Sequence, residues 1–137
     1  MRKRFGYGCS GKLVRDRAIE RGLEEDNTST FSYKYLENNE LQTHLLNKLQ
    51  EEVAEILEAK HKEEMCLELV DVLDVIDAIM KHNNISQEEL AIIRNNKHKS
   101  RGKFDSKLFI KWHELGPSDW YYHFLDHPHK YPELDID

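Results

Sequence analysis

The sequence predicts an all-α fold, an antiparallel helical bundle, and three observations support it. All 3 prolines lie after residue 116 and half of the 6 glycines before residue 12, so the middle of the chain holds almost no helix breakers. Apolar residues in that middle recur at three- and four-residue spacing, which places them on one face of a helix. Ser86-Gln87-Glu88-Glu89 has the pattern of a capping box, a helix start written in local hydrogen-bond chemistry.

The elements follow in order. Residues 1–32 read as an irregular N-terminal segment, with Lys12-Leu13-Val14-Arg15-Asp16 its only ordered-looking piece. Glu24 to Ser32 is polar and reads as a loop. A first long helix is expected from about Tyr35 to His61, with Leu45, Leu46, Leu49, Val53, Ile56 and Leu57 as its apolar stripe. A second is expected from about Glu63 to His82. It is apolar on most sides, which suits a central helix with several neighbours. Asn83-Asn84 ends it. The third helix starts at the capping box and ends near Gly102. A short element is expected around Leu108–His113, followed by an extended C-terminal tail rich in aromatics and histidine.

A chain of 137 residues is expected to form one domain with a modest core. The net charge of −6 argues against a basic nucleic-acid coat, so no stable nucleic-acid binding is expected. It does not exclude a polyanionic substrate, because a bound divalent cation reverses the local sign. The 2 cysteines, Cys9 and Cys66, are far apart and lack metal spacing. No disulfide framework is expected, and a reducing cytoplasm is the expected location. No signal peptide or membrane span is read from the sequence.

Chemistry concentrates in two acidic signatures. Glu51-Glu52-Val53-Ala54-Glu55 precedes Glu68-Leu69-Val70-Asp71, and each holds two carboxylates three residues apart on one helical face. At about 100° per residue, Glu68 falls between the azimuths of Val72, Val75 and Ile79. An ionised carboxylate inside an apolar stripe costs several kcal/mol unless it is paired or metal-bound. If the chain reverses near His61–Glu64, the two pairs face each other at similar height. The result is an oxygen-only cage suited to Mg²⁺ or Mn²⁺ and not to zinc. A helix running straight through would point Glu52 and Glu68 about 160° apart and form no cage.

The order Glu51-Glu52-x-x-Glu55, then Glu68-x-x-Asp71, resembles the signature of the MazG-like all-α nucleoside triphosphate pyrophosphohydrolases. Lys12-Leu13-Val14-Arg15-Asp16 looks like the N-terminal segment of the phosphoribosyl-ATP pyrophosphohydrolase-like branch. Arg94-x-x-Lys97-x-x-x-Arg101-Gly102-x-Phe104 looks like its basic segment after the third helix. The resemblance covers roughly residues 12–110. It implies a single MazG-like domain over residues 1–137, with 111–137 a tail extension that departs from the family pattern. The proline that often follows the N-terminal piece is absent; Ala18-Ile19-Glu20 stands there instead.

The resemblance implies hydrolysis of a nucleoside triphosphate to the monophosphate and pyrophosphate, with nucleotide-pool house-cleaning as the role. It makes Glu52, Glu55, Glu68 and Asp71 the ligands of Mg²⁺, with Mn²⁺ a substitute. Glu51 and Glu52 become the catalytic carboxylates, Glu51 orienting or deprotonating the attacking water. Lys12, Arg15, Lys97 and Arg101 are expected to meet the phosphates. Lys48 reads as an i,i+4 ion pair to Glu52. Two long helices and a short third enclose little core, and the family's usual answer is a homodimer or homotetramer. The nucleobase pocket is not legible, with Phe31, Tyr33, Tyr35, Asn83 and Asn84 the available candidates.

Rival readings make different demands on the sequence. A di-iron bundle needs two Glu-x-x-His motifs, and only Glu58-Ala59-Lys60-His61 is present. A non-enzymatic helical interaction module would use Trp112, Trp120, Tyr121, Tyr122 and Phe124 as a partner-binding tail, and its acids would be surface charge. Metal separates this module from the enzyme: a carboxylate cage gains stability from millimolar Mg²⁺ and a pure binding module does not.

Overall fold

The computed structural model describes residues 1–136, which contain five α-helices and no strand. In order these are α1 (Ala18–Glu25), α2 (Asn38–Glu58), α3 (Lys62–His82), α4 (Gln87–Arg101) and α5 (Asp119–Leu125). The chain forms two compact units, Met1–Asn95 and Asn96–Asp137.

The first unit is organised by α2 and α3, which pack against each other as an antiparallel hairpin. The reversal takes only Ala59, Lys60 and His61, two residues earlier than the sequence suggested and again without glycine or proline. Glu64 explains how: its carboxylate accepts from the Lys60 backbone N–H at 2.9 Å and holds the turn in place of a breaker residue. The Glu37 N–H donates to the Glu40 carboxylate at 3.1 Å, so α2 starts three residues after Tyr35. The far end of α3 closes with a Schellman motif. Asn84 takes a left-handed φ of 56°, and the Ile85 and Asn84 N–H groups donate to the carbonyls of Met80 and Lys81.

The capping box of α4 is closed in both directions. The Ser86 Oγ accepts from the Glu89 N–H at 3.1 Å, and the Glu89 carboxylate accepts from the Ser86 N–H at 2.8 Å. Ser86→Ala is therefore expected to cost about 1 kcal/mol, measured by urea denaturation.

Two expectations are corrected. Residues 1–32 are not all irregular, because α1 forms there. Arg17 grips Glu20 at 2.9 Å, and Gly22 lies so close to the Phe31 ring that an added Cβ would sit 2.6 Å from it. The i,i+4 pair Ile19 and Leu23 was the available signal. In the second unit no regular element forms at Leu108–His113. A helix appears instead at α5, where the Ser118 Oγ caps the Tyr121 N–H. The run Leu108 to His113 has apolar residues but no cap. Phe124 and Tyr131 stack with ring centroids 3.9 Å apart and anchor α5 to the segment after it.

The buried apolar core consists of Leu45, Val75 and Met80. Leu46, Val53 and Leu57 on α2, and Leu67, Val70 and Leu73 on α3, remain exposed. No helix of the described residues is long and apolar enough to cross a membrane.

Candidate active site

The hairpin is nearly symmetric about Lys60. Glu52 lies eight residues before it and Glu68 eight after, and each stands six residues, about 9 Å, along its helix from the turn. Their side chains meet. Carboxylate oxygens of Glu52, Glu68 and Asp71 all lie within 4.8 Å of one another. Glu52 is 7% exposed, and Glu68 and Asp71 are half-buried. Glu55 is exposed and stands outside this group of three.

The electrostatics show the strain of that convergence. Desolvation, then the charges of Asp71, Glu55 and Glu52, push the Glu68 carboxyl above its ordinary value. Glu55 is thus close enough to be felt, though outside the cluster.

Cations crowd the same place. Lys48 donates to Glu52 at 2.9 Å, the i,i+4 pair read from the sequence, and to Glu51 at 3.3 Å. Lys12 reaches Glu51 from the N-terminal segment at 3.1 Å. Desolvation alone would raise the Glu51 carboxyl, but hydrogen bonds from Lys12 and Lys48 hold it below the ordinary range. Arg15 donates to Asp71 and, at 2.7 Å, to Asp74. Those two hydrogen bonds, Asp74 first, raise its own pKa.

Lys12 and Arg15 were expected at phosphates; in this structure they lie on acids. Asp74 was missed as a partner. It follows Asp71 by three residues on α3, and that i,i+3 spacing was the signal. Lys97 and Arg101 are exposed on the last turns of α4 and belong to the second unit. Of the nucleobase candidates, Phe31 packs on Gly22, Tyr33 and Tyr35 meet edge to face, and Asn83 donates to Gln42 at 3.0 Å.

The donor set fits a hard divalent cation. It offers carboxylate oxygens alone, and one of its carboxyls has its pKa raised by desolvation and by its neighbours' charge, a penalty a cation would offset.

A family model described as phosphoribosyl-ATP pyrophosphohydrolase matches residues 17–99. The chain belongs to the phosphoribosyl-ATP pyrophosphohydrolase family. The match contains α2, α3 and every carboxylate of the cluster, whereas Lys12 and Arg15 precede it. Comparisons with curated proteins and with solved structures give no match. The phosphoribosyl-ATP pyrophosphohydrolase family is part of the MazG-like all-α superfamily, and its activity is pyrophosphohydrolysis of a nucleotide, the cleavage of an acid anhydride. Glu52, Glu68 and Asp71, which converge on one face of the α2–α3 hairpin, all lie within the matched residues.

Proposed function

We propose that this chain is a Mg²⁺-dependent nucleoside triphosphate pyrophosphohydrolase that releases a monophosphate and pyrophosphate. The observation that carries the reading is the convergence of Glu52, Glu68 and Asp71 in a chain of this family. Glu52, Glu68 and Asp71 would hold the ion, with Glu55 a fourth ligand. When bound, it would neutralise the triphosphate and make water more acidic. Mn²⁺ is the expected substitute.

The chain's own residues do the rest. Glu51 accepts the proton of the attacking water as attack proceeds in line at the α-phosphorus. Lys12 and Lys48 keep it ionised and aimed. Arg15 exchanges its carboxylate partners for phosphate oxygens when the substrate arrives, which its planar fork favours, while Lys12 keeps its bond to Glu51 and offers its remaining donors to the phosphates.

The domain is read as a single MazG-like unit with its core at about 12–110 and residues 111–137 as an extension. A cytoplasmic house-cleaning role fits a nucleotide pyrophosphohydrolase with two free thiols, Cys9 and Cys66. The exposed leucines of the hairpin support a homodimer or homotetramer.

The test is product analysis over a panel of nucleoside triphosphates and phosphoribosyl-ATP, with Mg²⁺, with Mn²⁺ and with chelator. Metal-dependent release of pyrophosphate together with monophosphate is expected. Stepwise release of single phosphate, or turnover that survives the chelator, would overturn the reading.

A further inference from the structure

Beside the acidic cluster lies a cleft between the N-terminal segment Ser10–Leu13 and α2. On α2 it is lined by His44, Asn47, Lys48 and Glu51, and across from them stand Ser10 and Lys12. We propose that this cleft is the subsite for the pyrophosphate end of the substrate, the part that leaves as product. The inference rests on the pyrophosphohydrolase reading and adds Ser10, His44 and Asn47 to the residues that meet the substrate.

The helix explains the lining. Positions 44, 47, 48 and 51 are spaced i, i+3, i+4 and i+7, so they share one face over two turns, roughly 10 Å. Gly11 explains the opposite wall. Its φ of 103° lies where side chains are strained, and the turn made there lets Lys12 reach back to Glu51 on α2.

The chemistry of the lining selects the ligand. Pockets for nucleobases and other planar groups are mostly apolar, with few polar groups. Here Leu13 is the only large apolar side chain, against two ammoniums, a hydroxyl, an amide and an imidazole. One carboxylate, Glu51, faces two lysines, Lys12 and Lys48, the second of which also pairs with Glu52. Each ammonium has three donors. Lys12 spends one on Glu51, which leaves two for an incoming anion. Polyphosphate oxygens accept such bonds strongly because they are charge-assisted.

Position fits the order of the substrate. Lys48 touches both Glu51 in the cleft and Glu52 in the acidic cluster, at 3.3 and 2.9 Å. A triphosphate whose α-phosphorus stands at the cluster therefore passes its outer phosphates directly into the cleft. The nucleoside is left to the other side, which accounts for the lack of aromatic residues here.

Calorimetry on the full chain tests this with inorganic pyrophosphate and Mg²⁺, and separately with a nucleoside monophosphate and Mg²⁺. Asn47→Ala lies on the helix and Ser10→Ala on the loop, so the two do not share a folding liability. Each is expected to weaken pyrophosphate binding roughly tenfold while leaving monophosphate binding unchanged. Unchanged pyrophosphate binding in both variants would overturn the subsite, as would a loss confined to the monophosphate or no pyrophosphate binding by the wild type. If pyrophosphate binding falls as expected but the wild type hydrolyses no triphosphate, the subsite stands and the pyrophosphohydrolase reading fails. If triphosphate is hydrolysed and both variants bind pyrophosphate normally, the subsite alone fails.

Discussion

Replacing Glu68 with glutamine is expected to lower hydrolysis at least about 100-fold while making the metal-free protein more stable, not less. Both effects have one cause. Glu68 stands within 4.8 Å of Glu52 and Asp71, and desolvation followed by those charges raises its pKa. The folded chain therefore holds the proton of Glu68 more tightly than the unfolded chain does. Its contribution to stability is fully present below the ordinary carboxylate pKa and is lost as pH rises through the raised value. At neutral pH an ionised Glu68 opposes folding unless a cation is present. Glutamine keeps the shape and removes the charge, so that pH-dependent loss disappears with it.

Thermal denaturation with and without Mg²⁺ reads the outcome. Wild type should gain stability from millimolar Mg²⁺ and Glu68→Gln should gain little, because only a chain that binds the ion is stabilised by it. Asp71→Asn should lose hydrolysis equally but gain less stability, since Asp71 already has Arg15 as a partner. A Glu68→Gln variant that keeps near-normal turnover would remove Glu68 from the site. Absence of any Mg²⁺ effect on the wild type would favour a non-enzymatic helical module.

The second large effect concerns assembly. The chain is expected to sediment as a dimer or tetramer, and Leu67→Glu with Leu73→Glu to shift it to monomer with a strongly lowered melting temperature. Buried apolar side chains in the first unit are only Leu45, Val75 and Met80, too few to balance the ordering of two long helices. Meanwhile Leu57 is 82% exposed, Leu67 66% and Leu73 58%. Positions 67, 70 and 73 run as one stripe along α3, and 46, 53 and 57 as another along α2. Covering each leucine contributes about 1.5–3 kcal/mol, so a few of them decide whether the hairpin is stable. Analytical ultracentrifugation and a concentration series of melting curves check this, because an obligate oligomer melts later as concentration rises. A wild type that stays monomeric at high concentration, with no effect of the double variant, would place these leucines on a free surface.

Much of the fold was legible because its signals are local. α2, α3 and α4 each announce themselves through apolar periodicity, and α4 also through a cap that acts within three residues, Ser86 with Glu89. The short helices were less so. α1 contains Gly22 and a dense charge pattern, and its packing against Phe31 depends on a loop whose path periodicity does not describe. α5 follows a proline and is anchored by a stack with Tyr131 beyond its end.

By itself the sequence determined which residues are helical in the centre of the chain and which acids share a face, because helical phase follows from spacing alone. Only the tertiary structure decided which acids meet. The turn at Ala59–His61 is held by a side chain, Glu64, and it sets the register that brings Glu52 to Glu68 and Asp71 while leaving Glu55 outside. The pairing of Arg15 with Asp71 and Asp74, and of Lys12 with Glu51, joins residues far apart in sequence. Spacing along one helix says nothing about contacts between elements; those follow from the path of the backbone and the competition of charges for partners.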